Sequence, residues 1–228
     1  VGAHVDAVLG NLKFDVQPDA AQIARAGQWR TALARPVLLF ASSREGEEAM
    51  FIDALKALGD AATAAQWLVV PRHPQRFDEV ESLLGKAGFA VSRRSQWGQM
   101  PPLQSGAIWL GDSLGEMPLY YGLAAAALMG GSFAPLGGQN LIEALACDCP
   151  VILGPHTFNF SQASEQALQA GAALGVQDMG AGLGQALDLV ARPDRLQAAV
   201  QSCRQMVQGN RGAAAATAEA IQALMNAP

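Results

Sequence analysis

Four short segments gather the side chains able to do chemistry, and each lies where an apolar run gives way to a helical pattern. Residues 41–48 bring Ser42, Ser43 and Arg44 together with Glu45, Glu47 and Glu48. Hydroxyls and free backbone N–H groups at a helix start hold a phosphate or carboxylate. The alternative is a capped helix, because Ser42 and Glu45 have capping-box spacing and Glu47 and Glu48 suit an acidic first turn. Residues 71–76 set Arg72 and His73 between Pro71 and Pro74, so a restricted backbone preorganises a cation for a phosphate oxygen. Residues 111–116 carry Gly115, which lets N–H groups approach a ligand, and Glu116, an acceptor for ribose or base groups. Asp112 serves that site or simply caps the following helix. The fourth segment, residues 130–143, is the strongest. Gly130, Gly131, Gly137 and Gly138 clear side chains from both ends of a loop leading into a helix at about Asn140. An anion would reach the N–H groups and the helix dipole there, beside Glu143, which shares a helical face with Asn140.

Other chemistries fit the residues poorly. No Gly-x-x-x-x-Gly-Lys-Ser/Thr occurs, which removes a P-loop nucleotidase. Residues 180–185 imitate a dinucleotide fingerprint, but the last glycine is missing and no good first strand precedes them. Gly111, Ser113 and Gly115 match Gly-x-Ser-x-Gly, yet the sole downstream histidine is His156 and no upstream glycine-rich loop offers an oxyanion hole. Cys147, Cys149 and Cys203 are odd in number and lack zinc or disulfide-framework spacing, so they read as packing in a reducing compartment. No metal and no cofactor are implied.

The elements that must position these residues follow from apolar periodicity. Strands are expected over 36–41, 66–70, 90–91, 107–110, 125–129, 151–153 and 172–176, with helices over 45–58, 77–87, 117–123, 140–147 and 161–170. After about residue 178 a helical tail follows, over 183–191 and then 193–224, broken near 208–212 by Gly209, Asn210 and Gly212. Short apolar strands alternating with helices predict one α/β domain, a Rossmann-like parallel sheet flanked by helices, with ligands outside the carboxyl ends of the strands. Length agrees: 228 residues with 50% hydrophobic composition bury a core without staples. The net charge of −5, from 15 Lys+Arg against 20 Asp+Glu, leaves no global field for a nucleic acid or an anionic membrane. The longest apolar runs fall short of the roughly 20 residues of a spanning helix. The chain opens at Val1 and almost at once meets the compact run 10–15; it reads as a piece of a longer protein.

Taken in order, residues 10–15, 42–48, 71–77, 111–116, 130–143 and 154–160 resemble the 3-deoxy-D-manno-octulosonic acid (Kdo) transferases of lipopolysaccharide synthesis, over roughly residues 8–177. The resemblance implies the C-terminal lobe of a two-lobed GT-B glycosyltransferase that binds CMP-Kdo in a metal-independent, inverting transfer. It places the general base, the lipid A precursor site and the membrane contact in an N-terminal lobe outside this chain, at the cytoplasmic face of the bacterial inner membrane, and implies that this chain alone is inactive. By motif match, Pro71, Arg72, Leu114, Gly115, Glu116, Asn140, Leu141, Ile142 and Glu143 would contact CMP, with backbone groups serving at Leu114, Leu141 and Ile142. Lys13 reaches the donor or pairs with Asp15. The chain departs from the family's common histidines at Arg44 and Gln139.

Overall fold

The computed structural model describes residues 5, 7–102 and 106–226. Seven strands form one all-parallel sheet in the order β3-β4-β2-β1-β5-β6-β7. They are β1 (Val37–Ser43), β2 (Gln66–Pro71), β3 (Val91–Arg93), β4 (Ile108–Leu110), β5 (Ala124–Met129), β6 (Val151–Leu153) and β7 (Ala173–Gly175). Helices cover both faces: α1 (Ala20–Ala32), α2 (Glu47–Leu58), α3 (Phe77–Lys86), α4 (Met117–Leu123), α5 (Ile142–Ala146), α6 (Ser161–Ala170), α7 (Met179–Val190), α8 (Pro193–Asn210) and α9 (Ala213–Met225). Alternation along β1 sends Val37, Leu39 and Ala41 into one core and Leu38 and Phe40 into the other. A strand buried on both faces is therefore apolar throughout, and β1 and β2 read that way.

The expected strands and most helices form, with differences that have local causes. Helix α1, which the periodicity did not predict, carries few large apolar residues, Ile23 and Trp29, and is started by Asp19, whose carboxylate accepts from Ala21 N and Gln22 N at 2.8 and 3.0 Å. The expected capping box at Ser42 and Glu45 does not form. Ser42 takes a left-handed φ of 55° at an irregularity of β1, and α2 begins only at Glu47 after left-handed Gly46. Helix α7 starts at Met179, capped by Asp178 to Ala181 N at 2.7 Å, so residues 180–185 are helix interior and not a nucleotide loop. The tail breaks where expected, at Gly212. Its last helix is tied back to the start of the chain: Asp15 accepts from Gly212 N and Ala214 N at 2.6 and 2.7 Å. Those two bonds hold the Asp15 carboxyl below its ordinary range, and they commit it to α9 in place of Lys13.

From β1 the chain runs outward to β2 and on to the edge strand β3, comes back to place β4 between them, then crosses to β5 on the other side of β1. The reversal point lies between β1 and β5, where loops diverge and a crevice opens. One buried carboxylate binds the two loops there. Glu47, fully buried, accepts from Arg44 N at 2.9 Å in the loop after β1, and from Gly131 N, Phe133 N and Ala134 N at 2.7, 3.0 and 3.3 Å in the loop after β5. The approach is close enough that a Cβ on Gly130 would overlap the Ser42 carbonyl oxygen. Truncating Glu47 to Ala strands four buried or part-buried donors, and an unsatisfied buried donor costs about 1–3 kcal/mol. Urea unfolding of Glu47→Ala should lose about 3 kcal/mol or more; a loss below about 1 kcal/mol would contradict this role.

Candidate functional site

Because the strands are parallel, all four polar segments emerge at one edge of the sheet, on neighbouring strands in the order β4, β2, β1, β5. The segment after β6 joins them. Gly154 N donates to Ser132 Oγ at 2.9 Å, His156 N to Ser132 O at 3.0 Å and Asn159 N to Gly137 O at 3.0 Å, so residues 154–160 lie across the glycine loop. These sequence-distant residues form one rim.

The glycine loop differs from its expected role in its first half. The N–H groups of Gly131, Phe133 and Ala134 do not await a ligand anion, because Glu47 already fills them. Helix α5 is five residues long and begins at Ile142, two positions after the expected start, with Asn140 Oδ1 accepting from Ile142 N at 3.2 Å. Gly138 N is spent on Gly131 O. The N–H groups of Gln139, Asn140 and Leu141 have no partner among the described residues. Gln139 and Asn140 are half-buried and Leu141 is fully buried, so the open part of the seat is the pair of amides at Gln139 and Asn140.

Arginines crowd the same rim, and most are committed. Arg76 is buried and grips Glu48 at 2.7 Å and Glu79 at 2.8 Å, while Ser43 Oγ donates to the same Glu48. Arg93 binds Asp112 and Asp78, each at 2.6 Å, and Glu81 at 3.1 Å. Arg94 binds Glu116 at 2.8 Å. Arg72 is the contrast: it is exposed, and its guanidinium has no hydrogen bond or ion pair among the described residues. Its backbone is fixed by Arg72 N to Ser43 O at 3.0 Å. Burial pushes the Glu143 carboxyl up, and the Arg72 charge pulls it part of the way back. The same pair acts on buried Tyr121, whose hydroxyl burial raises, Glu143 raises further and Arg72 lowers. An exposed cation without a partner among the described residues thus acts on a half-buried carboxylate, on a rim that also carries unpartnered amides.

The segment after β4 is clamped from two sides. From one, Arg93 and Ser95 hold Asp112, which accepts from Ser95 N at 2.8 Å and Ser95 Oγ at 2.6 Å; Asp112 is thus a brace between loops, and the helix cap that was one of its two readings does not form. From the other, Gln22 of α1 donates to Gly115 O at 3.0 Å and accepts from Leu119 N at 3.2 Å. Leu114 and Gly115 remain exposed at the tip. Ser113 is hydrogen-bonded to Glu116 and Tyr120, neither of which is a neutral base suited to a serine nucleophile, so the Gly-x-Ser-x-Gly match is structural. The thiols are inert: burial pushes Cys147 and Cys203 up to about 12 and Cys149 also upward.

No protein-family model matches the chain. It is 49% identical over 224 residues to the 3-deoxy-D-manno-octulosonic acid transferase of Bordetella pertussis, spanning 97% of this chain and 52% of that protein. With the Haemophilus influenzae transferase it is 38% identical over 157 residues, 68% of this chain and 36% of the relative. Among solved structures it matches the C-terminal CMP-Kdo binding domain of WaaA from Acinetobacter baumannii, with a TM-score of 0.76 and 30% identity over 83% of this chain and 100% of that domain. The chain belongs to the Kdo transferase family. It spans about half the length of the Bordetella relative. Likeness of fold extends to Anabaena HepE in complex with UDP-glucose, with a TM-score of 0.62 at 12% identity over 95% of this chain and 56% of that one. The architecture is that of the Rossmann-like C-terminal lobe of GT-B glycosyltransferases.

The resemblance read from sequence therefore holds for family and fold. Three contributors to the rim escaped notice in the sequence: Gln22 on α1, Arg94 after β3, and Glu47 as an internal ligand of the glycine loop. Asp19 as an N-cap was the available signal for α1; nothing local marked the other two. Removing Arg72 should raise the Glu143 carboxyl further, because burial then acts unopposed. A 13C NMR titration of the Glu143 side chain in Arg72→Ala tests this; an unchanged titration midpoint would show that the two groups do not face each other.

Proposed function

We propose that this chain is the donor-binding lobe of a Kdo transferase and that it binds CMP-Kdo at the rim between β4 and β5. The carrying observation is Arg72: a cation with no partner among the described residues, on a rim whose other arginines are paired, close enough to Glu143 to act on its charge, with the amides of Gln139 and Asn140 open on the same rim. Family membership and the match to a CMP-Kdo binding domain support the choice of ligand. In this reading Pro71 sets the Arg72 backbone, Leu114, Gly115 and Glu116 meet the nucleoside, and Asn140, Leu141, Ile142 and Glu143 meet the rest of CMP, largely through main-chain groups at Leu114, Leu141 and Ile142.

Transfer is inverting and needs no metal from this lobe. The acceptor hydroxyl attacks the anomeric carbon, its proton passes to a general base, and the bond to the CMP phosphate breaks with the electron pair leaving on phosphate oxygen. Arg72 and the loop amides lower the barrier by meeting the negative charge that develops there. We assign the base, the lipid A precursor site and membrane contact at the cytoplasmic face of the inner membrane to an N-terminal lobe outside this chain. No described helix of this chain is long and apolar enough to cross a membrane. Lys13, whose Nζ lies 4.6 Å from the Phe160 ring centroid, borders the same side and is available to the donor.

Calorimetric titration of the chain with CMP, UMP and UDP tests the donor. CMP should bind best, and Arg72→Ala and Glu143→Ala should each weaken it by at least about tenfold, as loss of a charge-assisted contact implies. Unchanged affinity in both variants, or a preference for UDP, would overturn the assignment. The chain alone should not transfer Kdo to a lipid A precursor; turnover would place the base within it.

A further inference from the structure

The polar segments leave the sheet where its strands end. At the opposite edge, where β1, β2 and β4 begin, lies a cavity of about 260 Å3. It opens between the last turn of α2, the 3-10 stretch Gly59–Ala64 and the first residues of β2 and β4. Small residues at Gly59, Ala62 and Ala65 leave the space, and the side chains of Leu55, Trp67, Phe89 and Ile108 wall it. These walls are tied in place. Gln66 Nε2 donates to Ala107 O at 2.8 Å, Trp67 Nε1 to Ala62 O at 2.8 Å and Arg35 Nη1 to Thr63 O at 2.9 Å. Trp67 also packs edge-on against Phe51, with ring centroids 5.7 Å apart.

Charge around the opening has one sign. Among the described residues that line it, Arg35 and Lys56 are charged and none is Asp or Glu, although acids outnumber bases in the chain by 20 to 15. Lys56 is exposed on the last turn of α2, with no hydrogen bond or ion pair among the described residues. A preformed apolar cavity with a cationic border complements an apolar body that ends in an anion. We infer that this cavity binds a medium-chain fatty acid anion, its alkyl chain against Leu55, Trp67, Phe89 and Ile108 and its carboxylate at Arg35 and Lys56. Volume sets the chain length. An apolar cavity of about 150 Å3 holds benzene, so in proportion about ten non-hydrogen atoms fill this one, the size of octanoate. Burial of the chain supplies most of the affinity. The cations choose the sign of the headgroup, since an exposed ion pair contributes little by itself. The site is separate from the donor rim and does not rest on the donor reading.

Titrating 15N-labelled chain with octanoate at about pH 7, where the carboxyl is ionised, tests the inference. The Trp67 indole N–H and the amides of Phe89 and Ile108 should shift together and saturate with a Kd of about 1 mM or lower. Octylammonium, with the wrong charge, and butyrate, with too short a chain, should each bind at least about tenfold more weakly. Lys56→Glu, at an exposed position, should weaken octanoate by at least about threefold and narrow its advantage over octylammonium. Ala62→Leu, verified by thermal unfolding, should abolish binding by filling the cavity. CMP affinity should stay within about twofold in both variants. Equal binding of octanoate and octylammonium, shifts scattered away from the cavity, no saturation by about 10 mM, or octanoate affinity unchanged in Lys56→Glu would overturn the inference and leave the donor site standing.

Discussion

The rim depends on one buried carboxylate. Glu47 is anchored on the first turn of α2 and collects four backbone N–H groups from the two loops that flank the reversal point of the sheet. Burial alone pushes its carboxyl up, and the four donors oppose that shift. A carboxylate desolvated in this way is tolerable only when its lone pairs are filled, and here they are. The loop after β5 is thereby held in a fixed shape before any ligand arrives. Glu47 fills the amides of Gly131, Phe133 and Ala134, and what remains open are the amides of Gln139 and Asn140. Preorganisation of this kind reduces the ordering a ligand must impose.

Charge is distributed around this anchor with an economy of free cations. The acidic chain has no global positive field, so attraction for an anionic donor must be local. Arg76 neutralises Glu48 behind the rim, Arg93 ties α3 to Asp112, and Arg94 is turned inward onto Glu116 between indole rings. Each pairing stiffens a loop; together they leave Arg72 exposed on the rim. The flanking brace from Gln22 of α1 completes the hold on residues 115–119. Scaffold and site are consequently inseparable, since the same side chains that brace the loops decide which charges face the crevice.

Sequence made the strands legible because β1 and β2 are buried on both faces and so are apolar without interruption. It also located the four polar segments, since loops after parallel strands must emerge at one edge. Pairwise commitments were not visible. Whether Arg72 or Arg76 is free depends on where α2 places Glu48, a contact across 28 positions for Arg76. Glu47 read as an ordinary first-turn acid, because three of its four donors lie 84 to 87 residues away. Helix α1 was hidden by sparse apolar residues, and residues 180–185 imitated a glycine loop though they form a helix whose Gly182 packs against Phe133 and Leu128. Family resemblance carried the ligand assignment; geometry supplied which groups are free to make it.

The two halves of the glycine loop differ: an internal carboxylate fills the first, and the second is left for a ligand. Titrating 15N-labelled chain with CMP and following backbone amide shifts reads both at once. Perturbations should concentrate at Gln139, Asn140 and Leu141, with Leu114, Gly115 and Glu116 on the nucleoside side, while Gly131, Phe133 and Ala134 stay nearly still because Glu47 holds them. Large shifts at residues 131–134, with silence at 139–141, would contradict it.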